Sequence, residues 1–107
     1  MKKNKVILVT GASSGIGLLI ANRLHNDGFT VFGTSRNPEK YRNKVPFRLL
    51  SLDVTSDQSI RDCVDALMSE VPGLDVLINN AGRTFISSFI VTSSNLIASQ
   101  NLLDGPV

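Results

Sequence analysis

The residues whose types and spacing carry the clearest chemistry are Thr10-Gly11-Ala12-Ser13-Ser14-Gly15-Ile16-Gly17. Glycines at these intervals, between a short apolar run and an amphipathic stretch, suit a turn that holds a pyrophosphate. Gly11 permits a tight turn, Gly15 clears side-chain bulk from in front of the backbone, and Gly17 lets a following helix lie close to its sheet. Ser13 and Ser14 add hydroxyl donors. The free amides at the helix start, that of Ile16 among them, and the positive end of the helix dipole then face the anion. Two other readings compete: a glycine turn with no ligand, and the phosphate loop of nucleoside triphosphatases. The second fails on spacing, because three residues rather than four separate Gly11 from Gly15 and Ile16 stands where that loop needs lysine.

The next informative position lies about twenty residues past the glycines, where dinucleotide sites place the group that meets the adenosine ribose. In Thr34-Ser35-Arg36-Asn37 it is Arg36, with no carboxylate nearby. An acid would bond both ribose hydroxyls and favour NAD(H), whereas a guanidinium forms paired, charge-assisted bonds to a 2′-phosphate. The expected cofactor is therefore NADP(H) in preference to NAD(H).

These residues need elements to position them. Val6-Ile7-Leu8-Val9 is too short for a helix and typical of a strand buried on both faces of a parallel sheet. Ile16, Leu19, Ile20 and Leu24 recur with helical period until Asn26-Asp27-Gly28 supplies a stop. Further strands are predicted over 29–35, 47–52 and 75–79. Between the last two, a helix opens at Thr55 or Ser56, buries Ile60, Cys63, Val64 and Leu67, and ends at Val71-Pro72-Gly73. Alternating strands and helices imply right-handed crossovers and a parallel sheet with its crevice beyond the carboxyl ends of the strands. The expected fold class is α/β, a Rossmann-like doubly wound parallel sheet, truncated after the fourth strand.

Thr10 to Gly17, Leu52-Asp53-Val54 and Asn79-Asn80-Ala81-Gly82, in this order and at these separations, resemble the short-chain dehydrogenase/reductase family over residues 5 to 82. The resemblance implies an oxidoreductase that moves hydride between NADP(H) and a carbonyl or alcohol. It also implies that Asp53 and the Val54 amide contact the adenine ring, and that Asn80, Ala81 and Gly82 line the adenosine ribose. Asp53 can equally serve the approach to the next helix, and Asn79 is expected to tie neighbouring strands. Hydride transfer needs a proton donor at the carbonyl oxygen. The family resembled uses a tyrosine with a lysine four residues later, both in its second half. The single tyrosine here, Tyr41, is followed by Lys44 and Val45, one register off, and lies on the connection after the second strand, where a surface aromatic is expected. No catalytic residue is assigned, and the chain is expected to be inactive by itself. The alternative is a non-catalytic NADP-binding or subunit-interaction module.

Charge divides the chain: residues 1 to 82 hold 18 of 20 charged side chains, and the last 25 residues hold only Arg83 and Asp104. The expected organisation is a dinucleotide-binding half-domain over 1–82 and a divergent tail over 83–107. In that tail 85–91 suits a strand, Ser94 to Leu103 suits a helix, and Ile90 to Ser94 faintly resembles the family's fifth strand with its serine. A sheet ending at the fourth strand would leave an uncovered edge open to association, unless residues 85–91 pair with it. With 107 residues, 42% hydrophobic, and a net charge of +2, the chain suits one small domain and demands neither nucleic acid nor an anionic membrane. The uncharged stretch from Val6 to Asn22 is too interrupted by glycine, serine and threonine for a secretory signal. Lone Cys63 forms no internal disulfide and suits a core position in a cytoplasmic protein, while His25 has no partner in sequence for ligation.

Overall fold

A computed structural model describes residues 5–80 and 98–101. It contains β1 (Val6–Val9), α1 (Gly15–Asn26), β2 (Thr30–Ser35), α2 (Pro38–Tyr41) with a 3₁₀ turn at Arg42–Lys44, β3 (Arg48–Ser51), α3 (Asp57–Glu70), β4 (Val76–Asn79) and β5 (Ala98–Asn101). All strand pairs are parallel, in the order β3-β2-β1-β4-β5, so the chain steps outward from β1 to β3 and then crosses back to β4 on the other side of β1. This reversal makes the crevice beside β1 and the carboxyl ends of the strands.

The unbroken apolar run of β1 serves two cores. Val6 and Leu8 join Phe32, Leu50, Ile60, Cys63, Val64, Leu67 and Leu77 on the α3 face. Ile7 and Val9 join Ala12, Ala21, Val31, Phe47 and Leu49 on the α1 face. A strand covered on both sides is apolar at every position, which is why alternation is absent from its sequence. Burial at α3 follows expectation at Ile60, Cys63, Val64 and Leu67, and Ser56 is its cap.

Three expectations need correction. The helical stripe of α1 packs only in part: Ile16 and Leu19 are 50% and 71% exposed, while Ile20 and Leu24 pack against the core beside buried Gly17 and Ala21. Small residues bring the helix close to the sheet, and a count of large apolar side chains passes over them. Tyr41 is half-buried against the α1-side core rather than a free surface aromatic. The sheet also continues past β4, because β5 pairs with Val76 to Asn79 where a helix over Ser94 to Leu103 was expected, and the β4 edge was expected to pair with 85–91 or stay open. Backbone pairing depends little on side-chain identity, so a polar Ala-Ser-Gln-Asn segment can extend the ladder. The intervening residues 81–97 lie outside those described, and with them Ala81, Gly82 and the Ser94 alignment. Among the described residues, no helix is long and apolar enough to cross a membrane and no group of side chains could hold a metal ion.

Candidate dinucleotide site

The glycine turn is held from both sides. Towards β4, Thr10 N–H donates to the Ile78 carbonyl at 3.0 Å and the Thr10 hydroxyl donates to Asn79 Oδ1 at 3.1 Å. The Asn80 amide donates back to Thr10 Oγ1 at 2.9 Å, and Asn80 Nδ2 donates to the Gly11 carbonyl at 3.1 Å. Asn79 thus ties β1 to β4. Towards β2, Gly11 N–H donates to Thr34 Oγ1 at 3.1 Å and Ala12 N–H to the Thr34 carbonyl at 2.9 Å. Buried polar atoms are thereby used to fix a loop, each bond adding about 0.5–1.5 kcal/mol net.

The glycines are needed where the chain has no room or turns left-handed. A Cβ on Gly17 would land on the Gly11 carbonyl and on Asn80 Nδ2, so α1 can approach β4 only with hydrogen at that position. Gly15 has φ +59° and nothing within 4 Å of its would-be Cβ, which leaves the backbone bare to solvent. Behind the turn, a Cβ on Gly33 would sit 2.7 Å from both Ala12 and Phe47, so this residue of β2 is also needed for the turn to dock.

The start of α1 is electrically open. Ser14 makes no side-chain capping bond and no acidic residue lies in the first turn. The first amides of a helix have no internal acceptors and carry the positive end of its dipole. Asn80 adds one further open group: its Oδ1 is buried without a hydrogen-bond partner among the described residues.

A cleft of about 540 Å³ opens in front of this turn, within the range of about 300–1,000 Å³ usual for small-molecule sites. Gly11, Ser13 and Ser14 form one wall; Thr34, Ser35, Arg36, Asn37 and Tyr41 form the second; Leu52, Asp53, Val54 and Thr55 form the third. Six of the residues expected from sequence therefore converge: Gly11, Ser13, Ser14, Arg36, Asp53 and Val54. Gly15, Ile16 and Gly17 continue from the turn into α1 without lining the cleft, and Asn80 stands behind Gly11. Sequence reading missed Thr34, Ser35, Asn37, Tyr41, Leu52 and Thr55. Thr34, Ser35 and Asn37 beside Arg36, and Leu52 beside Asp53, carried a signal by their neighbours; Tyr41 and Thr55 carried none.

Asp53 has two structural duties. Its Oδ1 accepts from the Thr55 hydroxyl at 2.6 Å and the Thr55 amide at 3.0 Å, and its own N–H donates to Ser59 Oγ at 2.8 Å. The Thr55 hydroxyl, then its amide, and more weakly the Arg36 charge hold the carboxyl below the usual carboxylate range. A negative charge thus persists on the third wall opposite Arg36. Cys63 is buried away from the cleft, with its thiol pushed up to about 12 by burial, and has no nucleophilic role.

The family described as short chain dehydrogenase matches residues 5–100. A curated relative, 3-ketodihydrosphingosine reductase of Bacteroides thetaiotaomicron, is 49% identical over 78 residues, which make up 73% of this chain and 28% of that protein. Among solved structures, a variant of actinorhodin polyketide ketoreductase with NADPH superposes with a TM-score of 0.63 at 40% identity, over 75% of this chain and 34% of that one. The 3-ketoacyl-(acyl-carrier-protein) reductase of Brucella melitensis complexed with NADH does so with a TM-score of 0.67 at 29% identity, over 75% and 35%. The chain therefore spans about a third of the length of these relatives.

Proposed function

The chain belongs to the short chain dehydrogenase family, and on that premise we propose that it is a cofactor-binding portion of an oxidoreductase acting on a carbonyl or alcohol, selective for NADP(H). The carrying observation is one cleft that joins a bare helix start to a guanidinium: Gly11, Ser13 and Ser14 on one wall and Arg36 on the next, with no carboxylate at the end of β2. The chemistry NADP(H) supplies when bound is hydride exchange with the substrate carbon.

The residues fit that group. The amides at the start of α1 and the Ser13 and Ser14 hydroxyls receive the pyrophosphate, and the missing side chain at Gly15 lets the backbone reach it. Arg36, exposed at the end of β2, meets the adenosine 2′-phosphate, where an acid would repel it. Asp53 and the Val54 amide, across the cleft, are assigned to the adenine edge, a reading supported by an Asp53 Oδ2 that Thr55 does not bond. Asn80 with Ala81 and Gly82 is assigned to the ribose side. The 107 residues contain no tyrosine with a lysine four places on, so we expect no turnover from them alone. A cytoplasmic setting suits the single, buried Cys63.

Calorimetric titration with NADPH and NADH tests the reading. NADPH should bind tighter by about tenfold or more, the scale of one charge-assisted contact of about 1.5–3 kcal/mol. Equal affinities, or tighter NADH, would overturn the selectivity; failure of both would overturn the cofactor site.

A further inference from the structure

We propose that Lys40, Tyr41 and Lys44 form a second element of cofactor selectivity, in which the Tyr41 ring holds two ammonium groups beside Arg36 to favour a phosphorylated adenosine ribose. The inference rests on the NADP(H) reading of the cleft and adds to it residues outside the three motifs named above.

Five basic residues lie between positions 36 and 48, and the structure divides their work. Arg42 pairs with Glu39 and donates to the Leu49 carbonyl at 3.3 Å, bracing α2 against β3. Arg48 makes a forked pair with Glu70 at 2.8–3.1 Å, joining β3 to the end of α3. Lys40 and Lys44 are exposed, and among the described residues neither makes a salt bridge. What they share is Tyr41: the Lys40 ammonium stands 5.6 Å and the Lys44 ammonium 5.9 Å from its ring centroid. Both separations fall inside the roughly 6 Å reach of a cation–π contact.

Tyr41 is fitted to this task by its position. The ring packs partly against the α1-side core and also lines the cleft next to Ser35, Arg36 and Asn37. A half-buried aromatic anchored on the core has little freedom. Long lysine side chains otherwise sample many rotamers and contribute little at an exposed site. Neither lysine lines the cleft itself, but their ammonium groups are held 5.6 and 5.9 Å from the centroid of a ring that does, on the wall that carries Arg36. A ribose phosphomonoester, with nearly two negative charges, gains from all three, whereas an unphosphorylated ribose gains from none.

The probes are 2′,5′-ADP and 5′-AMP, which differ by the phosphate in question and contain no nicotinamide. Calorimetry on the full chain should show Lys40→Gln/Lys44→Gln binding 2′,5′-ADP about 4–25-fold more weakly, from about 2–5-fold per cation, with 5′-AMP within about twofold of wild type. Tyr41→Leu should lose much of the same discrimination although both lysines remain, and Tyr41→Phe should retain it because the ring does. Circular dichroism and thermal melts establish that each variant is folded; the two lysines are exposed, so the double variant keeps its core even if Tyr41→Leu does not. Unchanged 2′,5′-ADP affinity in the double variant, or an equal loss for 5′-AMP, would overturn the proposal. If Arg36→Ala abolishes discrimination while the lysine variants do not, only this inference falls. If wild type binds 2′,5′-ADP no better than 5′-AMP, the NADP(H) reading falls first.

Discussion

The two long helices, α1 and α3, each start just beyond the carboxyl end of a strand, and they treat their free amides in opposite ways. At α3, Ser56 Oγ accepts from the Ser59 amide at 3.1 Å, Asp57 places a negative charge in the first turn, and Asp53 and Thr55 knit the approach. At α1, Ser14 caps nothing, no acid is present, and glycines at φ +64° and +59° flank the turn. A helix start satisfied by its own sequence is a structural joint. One that its own side chains leave uncapped, while the loop leading into it is fixed by four neighbouring residues, suits the external anion proposed above.

The largest test of that contrast is Gly17→Val. A side chain there meets main chain and Asn80, so either α1 or the turn must move; overpacking of this kind costs about 1–3 kcal/mol. Urea denaturation should show that loss and calorimetry should show no NADPH binding; retained binding would mean the close approach is not required. A paired exchange separates the two helix starts more finely. Ser56→Ala should destabilise the fold by about 1 kcal/mol and leave cofactor affinity unchanged, while Ser14→Ala should stay within about 0.5 kcal/mol in stability and weaken NADPH binding. The reverse pattern would erase the distinction drawn above.

Acid gives the smallest effect. Asp53 and Glu70 both have carboxyls held below their unfolded values, Asp53 mainly by the Thr55 hydroxyl and Glu70 mainly by its hydrogen bonds to Arg48. Their contribution is therefore complete above the unfolded carboxylate values of about 4 and is lost as pH falls through the lowered folded values. Thermal melts from pH 6 down to 2.5 should show the midpoint decline mainly below pH 4. In Asp53→Asn/Glu70→Gln that decline should be shallower; an identical slope would show that other carboxylates govern it.

The legibility of this molecule in sequence followed the kind of force involved. β1, β2 and β3, α3 with its Ser56 cap, and the glycine turn all rest on local chemistry, and each was readable from residue type and spacing. Arg36 was readable because a strand end fixes where its side chain emerges. The α1 stripe was misplaced at Ile16 and Leu19 because contact there is made by Gly17 and Ala21, whose smallness rather than hydrophobicity does the packing. Thr34 and Tyr41 join the site through the fold alone: one reaches a loop 23 residues away in sequence, and the other is placed by α2 and the core beneath it. β5 was illegible for a further reason, since Ala-Ser-Gln-Asn has no strand signature and ladder pairing between backbones leaves little mark on residue type.

The double attachment of Gly11, to Thr34 on one flank and to Asn80 on the other, bears on how the proposed cofactor would arrive. A receptor already in its final shape has no disorder to surrender on association, so little of the contact energy is spent on arranging the loop. For a loop so held, encounter would be limited by diffusion and long-range charge instead of by a rearrangement, and differences in affinity among nucleotides should lie in how slowly each departs.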